Sequence, residues 1–407
     1  MKIALVYDAI YPFMQGGAER RYFELGRCLA QDDEVHLLGW QFWTGPTVRK
    51  FAGMWLRGVG PPVPFYGPGG RRSAKEAVAF ACHLLRALVR EQFDIIDCSS
   101  IPYLSVFASR LGGARRRTPL VVTWHEYMGR RRWREYLGAS AGGGSAFGGG
   151  ALPAALIERL CACVGQARIA VSAFTARRLP GRRPIVLVVP NGVDYQAIQA
   201  APAAPEGPDI LFVGRLLAHK RVDILLQAVR DLDGAGYTCG IVGTGPEEDR
   251  LRALANSLGL DGRVRFYGQL RTADEVYGLM KASRVFALPS EQEGFSISVV
   301  EAQACGLPPV VVAARDSAAA GLIRPGVDGL VCEKQPLSLA TALAGLLQDP
   351  ELRHQLSVGA RAAAAALDWS AAAGKVQRLY QTLARGGSAG PGDDALSEEG
   401  SHLLRAA

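Results

Sequence analysis

Short apolar runs of β type alternate with amphipathic helical stretches along nearly all of this 407-residue chain, and the alternation starts afresh near residue 210. Together these features predict an α/β protein of two doubly wound, Rossmann-like domains, each built on a mostly parallel sheet covered on both faces. The length agrees, since 407 residues are many for one hydrophobic core and comfortable for two. Apolar residues make up 49% and charged residues 21%, a balance typical of folded globular chains.

The first series opens with Ile3-Ala4-Leu5-Val6-Tyr7, an uninterrupted apolar run that suits a buried parallel strand. A glycine turn and an amphipathic helix over 19–30 follow, then a second strand at 34–38. Further on come a helix over 77–91, a strand at 95–97, a helix after Pro102 and a strand at 120–123. A helix over 153–164 and strands at 168–171 and 185–189 complete the series. The second series reads as strand 210–213, helix 222–232, strand 240–242, helix 247–257, strand 264–267, helix 272–282, strand 285–288 and strand 310–312. Domains are expected at 1–190 and 191–367, with the Ala/Pro-rich stretch 200–208 as the evident linker. A helix over 368–385, beginning near Trp369 and containing Leu379, Tyr380 and Leu383, is expected to return to the first domain as a brace. Residues 141–150 and 386–407 read by their glycine-rich and polar composition as a flexible loop and a flexible tail. The ligand site of such a protein is expected in a central cleft that the two domains face.

Composition narrows the function classes. The 46 Lys and Arg against 38 Asp and Glu give a net charge of +8, concentrated at Arg115 to Arg117, Arg130 to Arg132 with Arg134, and Arg182 with Arg183. No aromatic-interleaved RNA motif or zinc-finger spacing accompanies these clusters, so a nucleic-acid partner is not expected. The eight cysteines form no CxxC pair and read as buried thiols in a reducing compartment, with no metal site. No apolar run reaches the roughly 18 to 20 residues that a spanning helix needs. The expected location is cytoplasmic, with peripheral contact at the inner face of the membrane as an option.

The chemistry concentrates in residues 289–302, Pro-Ser-Glu-Gln-Glu-Gly-Phe-Ser-Ile-Ser-Val-Val-Glu-Ala. A strand precedes this stretch and a helix ends it at Gly306 and Pro308, so Glu293 belongs to a loop at the carboxyl end of a strand. Glu301 is expected about two turns into the helix, whose free N–H groups from Phe295 to Ser298 attract phosphate. Two carboxylates beside an anion site suit a polyhydroxylated, phosphorylated ligand. As isolated residues, both would be ordinary surface charges.

Four further features sit at strand ends. Gly16-Gly17-Ala18-Glu19 is a glycine turn opening a helix, which either lets a diphosphate approach the backbone or simply bends the chain. Gly214-Arg215 with Lys220 supplies two cations to one loop, able to neutralise a diphosphate in place of Mg²⁺. Gly243-Thr244-Gly245-Pro246 is a second glycine turn, and His125 stands in Thr-Trp-His-Glu at the end of a first-domain strand.

With Val189-Pro190-Asn191-Gly192-Val193-Asp194, Phe266-Tyr267-Gly268, and the two glutamates seven residues apart between Glu293 and Glu301, these segments resemble glycosyltransferase family 4 from residue 1 to about 385. The resemblance implies a GT-B fold and a retaining, metal-independent transfer of a hexosyl group from a nucleotide diphosphate sugar to an acceptor hydroxyl, with no cofactor. It gives Arg215 and Lys220 to the diphosphate, with Gly16, Gly17 and the amides of Ile297 and Ser298. Glu293 takes the hydroxyls of the transferred sugar with the amides of Phe295 and Ser296. Glu301 takes the ribose, the backbone near Leu270 meets the base, and His125 contacts the sugar at its reacting carbon. Two positions depart from the family pattern: Arg221 and Ser296 each stand where glycine is usual, and Ser296 is expected to narrow or re-shape the sugar pocket.

Other readings stay open from the sequence: a two-domain nucleotide-sugar epimerase or phosphorylase, or a catalytically silent nucleotide-sugar-binding subunit. The acceptor, whether a free sugar or a lipid-linked, polysaccharide or glycoconjugate precursor, is not legible. The segment 127–136, which mixes arginine with aromatic residues, is a candidate contact with anionic membrane or simply a solvated loop.

Overall fold

The structure, a computed structural model, describes residues 1–66, 72–138, 151–181, 186–232 and 236–387. Within these the chain divides into two units, residues 1–190 together with everything from Trp369 onward, and residues 191–368.

The first unit carries eight strands: β1 Lys2–Val6, β2 Glu34–Gly39, β3 Val48–Phe51, β4 Met54–Gly58, β5 Ile95–Ser99, β6 Leu120–Trp124, β7 Ala167–Ala170 and β8 Val186–Val188. Their order across the sheet is β3-β4-β2-β1-β5-β6-β7-β8, parallel throughout except for the β3–β4 pair. The helices between them are α1 Gly17–Leu29, α2 Ala74–Arg90, α3 Tyr103–Ala114, α4 Gly129–Gly138, α5 Ala151–Val164 and α6 Ala173–Arg178. Side chains alternate across a strand, and β1 shows the result: Ile3 and Leu5 join one core, Ala4 and Val6 the other. A strand buried on both faces needs apolar residues at every position, hence its unbroken hydrophobic run.

The second unit holds α7 Tyr195–Ala200, β9 Ile210–Val213, α8 Val222–Asp231, β10 Cys239–Val242, α9 Glu248–Ser257, β11 Val264–Gly268, α10 Ala273–Ala282 and β12 Val285–Leu288. It continues through the two-residue β13 Gln292–Glu293, α11 Ile297–Ala304, β14 Pro309–Ala313, the short β15 Asp316–Ser317, β16 Leu330–Glu333, α12 Pro336–Gln348 and α13 Pro350–Ala365. Its main sheet runs β11-β10-β9-β12-β14-β16, and every pairing is parallel. The last helix, α14 Trp369–Ala384, returns to the first unit, where Trp369, Val376 and Tyr380 share a core with Ile3, Leu5 and Tyr22.

The expected elements are present within a few residues of their predicted ends. The hairpin β3–β4 was not foreseen, because its residues lack clean alternation. One expectation is corrected: residues 200–208 are no linker. The amide of Ala204 donates to the Gly278 carbonyl at 2.9 Å, and Lys281 Nζ donates to the carbonyls of Gln199 at 2.9 Å and Ala201 at 2.5 Å. The stretch is bound along α10, and the units part between Pro190 and Asn191. Ala/Pro composition suggested looseness that the hydrogen bonds contradict. The loop read at 141–150, residues 388–407 of the tail, and Arg182 and Arg183 lie outside the described residues.

Both strand orders reverse once, between β1 and β5 in the first unit and between β9 and β12 in the second. At such a switch point the loops leave in opposite directions and open a crevice at the carboxyl ends of the strands. The second crevice depends on glycine. Gly243 has φ +127°, and a Cβ there would fall 2.0 Å from the Gly214 carbonyl oxygen, while one at Gly245 would fall 2.3 Å from that of Leu216. The loops after β9 and β10 therefore pack backbone to backbone. Gly243→Ala must force them apart from a backbone conformation alanine resists, and is expected to cost about 3 kcal/mol. Urea unfolding would register this as a lower midpoint with an unchanged slope.

Candidate active site

In the second unit, β9 ends at Val213 and delivers Gly214 and Arg215, after which a single tight turn, Ala218–Lys220, precedes α8. The chain after β12 is tied to that turn: the Glu291 amide donates to the His219 carbonyl at 2.9 Å, and Ser290 Oγ donates to the same oxygen at 3.3 Å. Further along, β13 pairs with β15, and the Ala318 amide donates to the Glu293 carbonyl at 2.8 Å. Two loops from either side of the strand reversal are thereby locked together. Lys220 Nζ meets Glu293 Oε1 at 2.6 Å, with Glu293 only 8% exposed. A buried, charge-assisted contact of this length holds both side chains in place. Arg215 is exposed and forms no ion pair among the described residues.

Glu301 is buried and accepts from Tyr277 OH at 3.3 Å. It is the fifth residue of α11, one turn into the helix rather than two, because the helix begins at Ile297 instead of continuing from an earlier turn. The N-cap residue Ser296 makes no side-chain cap to α11, so the first-turn amides that include Ile297 and Ser298 keep their donor capacity. Ser296 is extended, at φ −112°, a conformation that needs no glycine, and its Oγ lies 3.3 Å from that of Ser298. Arg221, by contrast, sits at φ +52° in the left-handed region, where glycine is at ease. Its guanidinium spans Asp223, through Nε and Nη2 at 3.0 Å each, and Glu291, through Nη1 at 3.1 Å. These ion pairs offset the backbone strain.

Leu270 follows β11 in the same unit. It lines a cavity of about 480 Å³ with Arg265, Tyr267, Thr272 and residues 202–206, to which Arg215, Lys220, Glu293 and Glu301 contribute nothing.

In the first unit, Gly16 precedes α1, and a Cβ on it would stand 2.4 Å from the Glu19 carboxylate. His125 follows β6, its ring 6.4 Å from Tyr7 and 6.1 Å from Tyr22 between centroids. Its Nε2 is buried without a hydrogen-bond partner among the described residues. Burial, and then the charge of Arg21, push the imidazole down to about 3, so His125 is neutral at any physiological pH.

Sequence reading missed one cluster at the same sheet edge. Asp8, just past β1, and Glu76, at the start of α2, are both fully buried beside Arg72, which contacts the Asp8 carboxylate directly and approaches Glu76 at 3.7 Å. Trp40 Nε1 donates to Glu76 Oε1 at 2.8 Å. Burial pushes Asp8 up to about 8, opposed by Arg72 and reinforced by Glu76. The only signal in the sequence was a lone Asp at a strand end, 68 residues from its carboxylate partner.

The expectation at 127–136 is also refined. Trp133 Nε1 donates to Glu158 Oε2 at 3.1 Å, and Arg132, buried, bonds Glu126 at 3.1 Å. These two turn inward, whereas Arg130, Arg131 and Arg134 remain exposed. Among the described residues no helix is long and apolar enough to cross a membrane. All eight cysteines are free thiols.

An acid whose folded pKa is raised stabilises the fold while protonated and loses that contribution as pH climbs from the unfolded value to the folded one. Wild-type protein is therefore expected to lose stability between about pH 4 and pH 8, whereas Asp8→Asn flattens this slope by about 2 kcal/mol or more. Urea midpoints across that range measure the difference.

Comparison with known proteins agrees with this geometry. A family model described as Glycosyltransferase Family 4 matches residues 15–197, and one described as Glycosyl transferases group 1 matches residues 194–363. The phosphatidyl-myo-inositol mannosyltransferase of Mycobacterium leprae is 30% identical over 80% of this chain and 83% of its own length. The D-inositol 3-phosphate glycosyltransferase of Corynebacterium jeikeium is 36% identical, but over only 44% of each chain. The chain thus spans under half the length of that relative. Among solved structures, the sucrose-phosphate synthase of Thermosynechococcus elongatus superposes with a TM-score of 0.73 at 22% identity, covering 94% of this chain and 98% of the other. HepE of Anabaena, solved in complex with UDP, gives 0.70 at 20% identity, covering 94% and 100%. The protein belongs to glycosyltransferase family 4, and its two doubly wound units are those of the GT-B fold.

Proposed function

We propose that this chain transfers a hexosyl group from a nucleotide diphosphate sugar to an acceptor hydroxyl, with retention at the anomeric carbon and without a metal ion or cofactor. The observation that carries the reading is the 2.6 Å contact of Lys220 with Glu293 at the strand reversal of the second unit. One partner suits a pyrophosphate and the other suits sugar hydroxyls, and the fold brings them to one point. Anabaena HepE, of the same fold, has been solved with UDP and with UDP-glucose, which supports a nucleotide sugar as donor.

In this reading Arg215, exposed and unpaired among the described residues, meets the diphosphate first, and Lys220 exchanges its contact with Glu293 for phosphate oxygen. The amides of Ile297 and Ser298 add to the phosphate site, as do Gly16 and Gly17. Glu293, released, accepts from the hydroxyls of the transferred sugar with the amides of Phe295 and Ser296. Glu301 takes the ribose hydroxyls, and the base lies near Leu270. As the glycosidic C–O bond stretches, negative charge grows on the leaving diphosphate, and each fixed donor there stabilises the transition state by about 3 to 4 kcal/mol. His125, neutral, offers a hydrogen bond near the reacting carbon without competing for the phosphate. The leaving phosphate oxygen takes the acceptor proton, a front-face course that requires no second carboxylate across the bond.

The relatives' names include an inositol phosphate and a phosphatidylinositol, so a phosphorylated or lipid-linked polyol is the acceptor class we favour, met from the cytoplasmic side of the membrane. The exposed Arg130, Arg131 and Arg134 suit such an anionic surface. Sedimentation with vesicles containing anionic lipid should carry the protein down at low salt and release it at high salt. No pelleting at either ionic strength would remove the membrane from this account.

Thermal-shift measurement with UDP, GDP and ADP sugars should single out one nucleotide by a raised melting temperature. With that donor, Arg215→Ala and Lys220→Ala should each lower kcat about 100-fold or more. Glu301→Ala should act chiefly on donor KM, by about 10-fold. Near-normal turnover in both cation variants would overturn the assignment. Turnover of a nucleotide sugar without any acceptor would point to an epimerase, and binding without turnover to a silent subunit.

A further inference from the structure

Asp97 is the least expected residue in the first unit. It lies in β5, next to the central strand, 2% exposed, where an apolar side chain would pack at less cost. Every partner it has is specific. Its Oδ1 accepts from Tyr22 OH at 3.1 Å and from Thr123 Oγ1 at 2.8 Å, and its Oδ2 accepts from Tyr380 OH at 2.5 Å. Those donors come from α1, β6 and α14, three elements distant in sequence. Two of them border His125. Tyr22 stacks on Tyr7 at 5.7 Å and 19°, and the imidazole leans against both rings. Thr123 lies two residues before His125 on the same strand exit.

Arg21, also fully buried, closes the group. Its Nη1 donates to the carbonyls of Val189 at 3.0 Å and Pro190 at 3.3 Å, the last residues before the chain leaves this unit. Its charge and that of Asp97 act on each other through the buried interior. Facing the imidazole are therefore Tyr7 just past β1, Arg21 and Tyr22 from α1, and, behind Tyr22, Asp97 from β5 with Tyr380 from α14. The arrangement leaves Nε2 of His125 buried and unclaimed by any group among the described residues.

We propose that Asp97 is a positioning residue for His125: it anchors Tyr22, against which the imidazole packs, and Thr123, two residues before it on β6, while Tyr380 of the returning helix completes the anchor. This rests on the role given to His125 above. A reacting group displaced by 1 Å loses about 100-fold in rate, so a rigid mount has a direct catalytic consequence. It also makes α14, remote in sequence from every donor-binding residue, part of what aims the imidazole.

The test uses the full chain and three substitutions, Tyr380→Phe, Thr123→Val and Thr123→Ser. The first two remove one hydroxyl each from Asp97, and the third restores the hydroxyl. Tyr380→Phe and Thr123→Val should lower kcat about 10-fold or more while donor KM stays within about twofold, and Thr123→Ser should recover most of the loss. The ring carbon–proton resonances of His125, assigned with His125→Gln, should move in the first two variants and return in the third. Wild-type kcat with unmoved resonances in both Tyr380→Phe and Thr123→Val would overturn the proposal. If the wild-type chain transfers sugar from no nucleotide donor, the transferase reading fails separately. The His125 resonances then decide alone: displacement sustains the positioning, and unchanged positions refute it.

Discussion

A single reversal of strand order governs what the second unit can do. Parallel strands β9 and β12 are neighbours, yet the chain arrives at them from opposite sides, so the loops at their carboxyl ends cannot close over one another. Into that opening the sequence puts Lys220 from one loop and Glu293 from the other. Hydrogen bonds to His219 and the pairing of β13 with β15 keep these loops in register. Gly243 and Gly245 let the neighbouring backbones approach to a distance that no side chain would allow. The polar site is thus a consequence of topology, and the glycines are the condition on which topology is realised.

Charge is handled in the same way at each sheet edge. Lys220 with Glu293 and Arg72 with Asp8 and Glu76 each set a cation against a carboxylate where water is largely excluded. Desolvated ions are costly without such company, and paired ones add little net stability. Their value lies in direction, since each partner orients the other. Arg221 shows the converse, an exchange of backbone ease for side-chain anchorage: a left-handed residue tolerated because Asp223 and Glu291 hold its guanidinium.

Much of this was legible in the sequence. Strands such as 3–7 and 285–288 are short apolar runs bounded by charged residues or proline, and local pattern is enough to read them. Glu293, Glu301, Arg215 and Lys220 could be singled out because charges at strand ends are conspicuous. Other features lie beyond local pattern. Asp8, Glu76 and Arg72 are joined only by folding, and Asp97 looks like one polar residue in a strand until Tyr22, Thr123 and Tyr380 converge on it. Residues 200–208 misled for the opposite reason. Composition reports what a segment would do unattached, and Lys281 attaches this one.

The first unit is interrupted in sequence, while the second is continuous from Asn191 to Asp368. On a ribosome, which releases the chain from its amino end, the second unit can complete its core as soon as Asp368 has emerged. The first must wait, its surface around Ile3, Leu5 and Tyr22 exposed, until Trp369, Val376 and Tyr380 are made to cover it. Order of synthesis and order of folding are therefore inverted: the half born first is the half finished last, and a nascent chain stalled before Tyr380 carries a sticky apolar face and a buried-side aspartate with no hydroxyl from α14 to receive.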